Sequence, residues 1–410
     1  MAENLIFNSL EKRIPEIRRD IQIIPVRDNG RKLLYFHDSM GYIPPHFALD
    51  VSVEPLLNMF SGVYSIEEVT KFLNHKIKPI ELLGFTQLLD ENLVINSRYF
   101  HQQSEKINDN FEKANTRKPV LSGHSYSNQP DYLNKFLQQI SSADTYRKNG
   151  KKLPQALYAP HIDINIGYKQ YSEAFIQIRN LKPKRVIILG TAHYTGYFGS
   201  FYDNTPFIGS DKVFELPGNQ LNPDSEVLQQ MMKGSQTNGF TLNDRAHRME
   251  HSIEIHLLLV REIWKHDFKI VPILVGGFDE LFYKSDGDLG TKIDRFAADL
   301  RKWIDDETFI LVSGDLSHVG RKFGDADSAN SMKSWVKKMD MKFLEYAAMG
   351  KTNDLLSILT ETFDQTRICG FPPLYLFLKL LQPPDGRIIN YHWWDESERE
   401  SAVSFGSVIY

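Results

Sequence analysis

The chain has 410 residues, 41% apolar and 24% charged, a balance ordinary for a soluble globular protein and a length greater than one core usually serves. Its net charge of −4 argues against a broad nucleic-acid footprint. No apolar run approaches the roughly 18 residues that span a bilayer, and the opening MAENLIFNSLEKRIPEIRRD lacks the basic-then-apolar pattern of a secretion signal, so a cytoplasmic chain with no membrane partner is expected.

Residues 1–100 read as a small α+β domain, with its compact part between Lys32 and Asn96. Leu33-Leu34-Tyr35-Phe36 has strand composition, Pro44-Pro45 punctuates, and a short helical pattern follows from Val53 to Phe60. Ser65-Ile66-Glu67-Glu68 has the S-x-x-E form of a capping box, in which each side chain satisfies a free backbone N–H at a helix start. The helix it opens is expected to turn Val69, Phe72 and Leu73 inward. Pro79 suits the first turn of a third helix carrying Leu82, Leu83, Phe85 and Leu89, and Leu93-Val94-Ile95 supplies a closing strand. Three short helices with a terminal strand pair suggest a winged helix.

From 101 to 117 the chain is mostly polar, with Ile107 and Phe111 its only large apolar residues, and reads as a linker. The remainder, 118–410, alternates apolar runs with amphipathic helices such as Ser252 to Trp264. Ala156–Ala159, Arg185–Leu189, Lys269–Val275 and Phe309–Val312 are short, bounded and rich in β-branched residues. Such runs read as strands buried on both faces, in a mostly parallel or mixed sheet layered under helices.

Chemistry gathers where these strands end. The first leads into Pro160-His161, the second into Ala192-His193, and the last into Gly314-Asp315-Leu316-Ser317-His318. In open α/β sheets, sites form at the carboxyl ends of strands, so these residues are expected along one edge. Imidazole is the commonest protein ligand for mid-to-late first-row metals, and two such ligands need only one or two further donors. The spacing of Asp315 and His318 lets a carboxylate orient an imidazole or accept a proton. Cys369 is the one cysteine, either a small buried hydrophobe or a thiolate that needs partners elsewhere. In His247-Arg248-Met249-Glu250-His251-Ser252-Ile253-Glu254, a helix would align His247, Glu250, His251 and Glu254 on one face, matching the H-x-x-E-H form of inverted zinc peptidases. A polar helix face beside the site is the plainer reading of His247.

Two resemblances bear on function. Ser61-Gly62-Val63-Tyr64-Ser65-Ile66-Glu67-Glu68-Val69 resembles the small peptide-binding domain typified by the pyrroloquinoline-quinone biosynthesis chaperone, which implies peptide capture by a strand edge. The second runs from about Lys118 to Tyr410, through Gly123-His124-Ser125-Tyr126, Ala159-Pro160-His161, Leu189-Gly190-Thr191-Ala192-His193 and Glu250-His251-Ser252-Ile253-Glu254-Ile255-His256-Leu257. It continues through Val271-Pro272-Ile273-Leu274-Val275-Gly276, Ser313-Gly314-Asp315-Leu316-Ser317-His318-Val319-Gly320 and Ile368-Cys369-Gly370. Together these segments resemble the Memo family, including the bacterial and archaeal members called AmmeMemoRadiSam system protein B.

That resemblance implies a layered fold shared with the non-haem iron extradiol ring-cleaving dioxygenases. It implies metal ligation by His161, His193 and Cys369, an acid/base pair in Asp315 and His318, and His251 lining the same pocket. Iron(II) is the expected ion, with copper or zinc as alternatives. The family name implies a radical-SAM enzyme as partner, and the N-terminal domain suits a peptide or protein substrate. Departures from the family pattern are Ile162-Asp163-Ile164-Asn165-Ile166 after the first histidine, where Asp163 could join the coordination, and Phe371 where a basic residue is usual. The N-terminal domain also lies outside the usual family architecture. Three functions follow: a redox metalloenzyme, a non-catalytic metal-binding or scaffold protein with a vestigial site, and a zinc peptidase.

Overall fold

A computed structural model describes residues 5–141, 153–381 and 385–410. The chain divides into two units, Met1–Lys113 and Ala114–Tyr410. No helix among the described residues is long and apolar enough to cross a membrane.

In the smaller unit, Ile21–Asp28 and Arg31–Asp38 form an antiparallel hairpin, and Ala48–Asp50 adds a third strand. The turn is Asn29-Gly30, both with positive φ (46° and 80°), the two-residue geometry whose twist matches the flanking strands. Short helices follow at Glu54–Leu57, Ile66–Phe72 and Pro79–Glu91. The capping box forms as read: the Glu68 amide donates to Ser65 Oγ (3.2 Å), and the Ser65 amide to Glu68 Oε2 (2.8 Å). Ile14, Leu34, Phe36, Ile66, Val69, Leu82, Leu89 and Val94 make the core.

Three expectations for this unit need correction. The strand pair precedes the helices, and Leu93–Ile95 makes only a single bridge, Ile17 to Ile95, so no wing forms there. Phe72 is 60% exposed and packs edge-on against Tyr64. The polar stretch read as a linker is a helix, Arg98–Lys113, whose buried positions are Ser104 and Asn108. Its inward face is polar because Asn108 donates to the Tyr42 hydroxyl (3.1 Å), a partner that composition cannot reveal.

The unit's buried ion pair predicts a stability effect. Arg18 contacts both oxygens of Asp38 (3.1 and 3.2 Å), and Asp38 also accepts from the amides of Met40, Tyr42 and Ile43. Burial acts to raise the Asp38 pKa, but the guanidinium and the amides outweigh it and hold the carboxyl below its ordinary value. Asp38→Ala should therefore lower stability by about 2 kcal/mol, since it leaves three amides without their acceptor, while the Arg18 guanidinium keeps Asp20 and the Leu93 carbonyl. Because the folded pKa is depressed, this contribution is complete above the unfolded value of about 4 and is lost as pH falls below it. Urea unfolding of wild type and variant between neutral and acidic pH checks both size and sign.

In the larger unit the described residues form a twelve-stranded mixed sheet. Its centre is four parallel strands in the order Ala156–Ala159, Thr308–Ser313, Arg185–Thr191, Lys269–Val275. Ser401–Ile409 flanks the first antiparallel and pairs in turn with Arg387–Glu396 and His318–Gly320. Along each central strand, alternate residues enter different cores. Tyr158, Ile187, Leu189, Ile273 and Val312 join one with the helices Asp288–Arg301 and Phe371–Leu380; Leu157, Ile188, Leu274 and Leu311 join the other with Pro130–Ser141 and Glu254–Ile263. A sheet covered on both faces needs apolar side chains at both parities, which explains the unbroken apolar runs.

Candidate metal centre

The register of the central strands levels their carboxyl ends. Ser313 lies opposite both Ala159 and Gly190, and Val275 opposite Thr191. The next residues in each chain direction bring His161, His193 and Asp315 to one edge.

His161 is almost fully buried. Its Nδ1 lies 3.2 Å from Ser313 Oγ, and that hydroxyl donates to the carbonyl of Ser252 at very short range. Ser313 must then accept from His161, which places the imidazole proton on Nδ1 and leaves the Nε2 lone pair free. That Nε2 is 3.4 Å from Cys369 Sγ and 3.7 Å from Asp315 Oδ2. Burial, then the neighbouring His193 and His251, push the His161 pKa far down, so the ring stays neutral as a ligand requires.

Glu250 organises the opposite wall. It accepts from the amide of His193 (2.7 Å), from His193 Nδ1 (2.9 Å) and from the amides of His251 and Ser252 (both 3.0 Å). Burial acts to raise its pKa, but His193, His251 and the Ser252 amide outweigh it and hold it at about 2. The same carboxylate overcomes the effect of burial on His193 and raises that pKa. Donation of Nδ1–H to Glu250 leaves His193 Nε2 free, the carboxylate–histidine arrangement that orients metal ligands. The His251 ring stacks on His193, with centroids 4.8 Å apart and planes 16° off parallel. Glu250→Gln should weaken metal affinity about 10- to 100-fold while the protein stays folded. Isothermal titration with zinc or cobalt measures this directly.

Cys369 reaches the site by close backbone contact. A Cβ on Gly314 would come within 2.1 Å of Gly370 Cα, and one on Gly370 within 2.4 Å of the Tyr158 hydroxyl and 2.7 Å of the Asp315 carbonyl. Two glycines thus let the loops touch. The Asp315 amide then donates to Cys369 Sγ (3.3 Å), and Thr191 Oγ1 to the Cys369 carbonyl (2.8 Å). Burial and the Asp315 carboxylate push the thiol pKa up, so a bound cation is what would draw out the thiolate.

Ligand atoms of His161, His193 and His251 all lie within 4.8 Å of one another, as do those of His161, Asp315 and Cys369. His161 belongs to both groups, whereas His193 and Cys369 fall in different ones, so among the described residues the three expected ligands are not gathered in a single group.

Other expectations are corrected. Asp315 does not orient His318: its Oδ1 accepts from the amides of His161 and Ile162 (3.0 and 3.2 Å), while His318 Nδ1 faces the carbonyls of Leu316 and Arg367 (3.1 and 3.0 Å). Asp163 caps its own turn, accepting from the amide and side chain of Asn165. The H-x-x-E-H segment is not one helix: His247 sits in a 3₁₀ turn, Arg245–Arg248, and the α-helix begins only at Glu254. His247 is buried with Nε2 on the Ile208 carbonyl (2.9 Å), so the one-face geometry of a zinc peptidase is absent.

Arg117, fully buried, escaped notice in the sequence. Its guanidinium contacts Glu254 and the carbonyls of Glu250 and His247, and Tyr126 donates to Glu254, which fastens the turn that carries Glu250 and His251. Its partners lie more than a hundred residues away, and nothing near it in sequence marks the role.

A family profile described as "Memo-like protein" matches residues 117–409. A MEMO1 family protein of Aquifex aeolicus is 25% identical over 363 residues, covering 87% of this chain and 90% of its own length. That stretch is longer than the Ala114–Tyr410 unit, so it reaches into the N-terminal unit, which is therefore shared at least in part with this relative. A MEMO1 family protein of Thermus thermophilus is 24% identical over 306 residues, covering 74% of this chain and 86% of its own. One from Saccharolobus islandicus is 26% identical over 280 residues, covering 64% and 87%.

Proposed function

Since the chain belongs to the Memo-like protein family, we propose that the cleft holds one iron(II) ion through His161, His193 and Cys369 and serves a dioxygenase-like oxidoreductase. The observation that carries this reading is His161 Nε2, its tautomer fixed by Ser313, lying 3.4 Å from Cys369 Sγ. Two imidazoles and a thiolate suit iron or copper, and accept zinc. With fewer than four protein donors, the bound ion supplies a Lewis-acidic, redox-capable centre with room for an exogenous ligand.

The remaining residues handle protons and exclude water. His318 is held neutral by burial, its pKa down at about 4, with Nδ1–H committed to the two carbonyls. Its Nε2 is then the nitrogen that can accept a proton. Burial lifts the Asp315 carboxyl to about 7 against the pull of the His161 and Ile162 amides, so it can exchange a proton near neutrality. Glu250 and Ser313 keep the ligand rings in place. A radical-SAM enzyme and a peptide or protein substrate complete the proposal as partners.

The test is anaerobic purification with iron(II) loading, followed by elemental analysis and electron paramagnetic resonance. About one iron per chain, lost in a His161→Ala/His193→Ala protein, is the result expected from such a donor set. Equal iron in the variant, or none in the wild type, overturns the reading.

A further inference from the structure

Ligand nitrogens of His161, His193 and His251 lie within 4.8 Å of one another, without the cysteine. We infer that His161, His193 and His251 form a second, thiolate-free ligand set for a divalent cation, overlapping at His161 and His193 the proposed set that uses Cys369. This deepens the proposed function and rests on the reading of the cleft as a metal centre.

Several observations converge on His251. Its ligand nitrogen lies within 4.8 Å of those of His161 and His193, which themselves lie within the same distance of each other. Its ring stacks on His193 and meets His161 edge-on, with centroids 5.3 Å apart. Both His193 Nδ1 (2.9 Å) and His251 Nδ1 (3.5 Å) face the same oxygen of Glu250, which leaves Nε2 as the free nitrogen of each ring. Glu250 therefore holds the His193 ring and the amide of His251 together. Both rings are partly open, at 27% and 28% side-chain exposure, so an ion can reach them from solvent.

The two sets differ in chemistry. The second set offers three imidazoles, which suit zinc, copper(II), nickel and cobalt; the proposed set has the Cys369 thiolate in place of His251, which adds a soft, charged donor. An ion can then stay in the cleft when the sulfur is lost, held by nitrogen alone. His251 becomes a reserve ligand and not only a pocket wall.

Cobalt(II) titration in competition with a chelating dye tests this on the full chain. Cys369→Ser should lose the thiolate-to-cobalt charge-transfer band yet keep one cobalt, bound at most about 100-fold more weakly. Adding His251→Ala should weaken the remaining binding by at least about tenfold. His251→Phe, which keeps a stacked ring without a nitrogen, should do the same and guards against a folding defect. Copper(II) resonance of Cys369→Ser should show hyperfine coupling to three nitrogens, falling to two in either double variant. The inference is overturned if Cys369→Ser binds no cobalt, or if the double variants bind as tightly as Cys369→Ser. Failure of the underlying reading looks different: the wild type itself would lack the thiolate band.

Discussion

His161→Ala should abolish binding of every divalent ion that the wild type takes up, weakening affinity by well over about 100-fold. His161 belongs to both groups of clustered ligand atoms found among the described residues, so its loss removes a donor from each. Loss of Cys369, by contrast, leaves the imidazole group. The fold should tolerate the change: Ser313 keeps its bond to the Ser252 carbonyl, and the amide of residue 161 keeps Asp315. A stability loss of only about 1–2 kcal/mol is expected, from one lost hydrogen bond and a small cavity. Calorimetric titration with zinc and cobalt, paired with thermal unfolding of the metal-free proteins, separates the two effects.

Gly314→Ala should do the reverse, damaging fold and site together. The new Cβ would meet backbone, with Gly370 Cα at 2.1 Å and Gly370 N at 3.1 Å, and backbone cannot rotate away as a side chain can. The Cys369–Gly370 loop must back off, which breaks the Gly370 amide bond to the Asp315 carbonyl (2.9 Å) and draws Sγ away from His161. We expect about 3 kcal/mol of lost stability from overpacking, together with loss of the thiolate-to-cobalt band. An unchanged melting temperature with an unchanged band would show that the two loops do not touch as described.

The parts of this fold that were legible in the sequence are those where local pattern and burial agree. Each central strand is apolar at both parities because both faces are covered, and the histidines after Ala159-Pro160 and Ala192 stand at the only edge such strands leave for chemistry. The capping box at Ser65 was legible for the same local reason. What was hidden depends on distant partners. Glu250 looked like a helix-face residue of a zinc-peptidase motif, but it lies in a turn held by Arg117, and it ties together two histidines from different parts of the chain. Ser313 ends a buried strand and looks like filler until its hydroxyl is seen to set a tautomer. The Arg98–Lys113 helix looked like a linker because its inward face is serine and asparagine. In the first hairpin, the Asn29-Gly30 signal was present, but Pro25 and the charged residues around it obscured the strand.

X-ray absorption at the iron edge, on anaerobically loaded protein, probes the donor set with least inference. A sulfur scatterer lying beyond a shell of closer nitrogens, with the sulfur gone in Cys369→Ser, is the pattern that two imidazoles and a thiolate produce. A first shell of nitrogen and oxygen alone in the wild type, unchanged by the substitution, would contradict a centre built on Cys369.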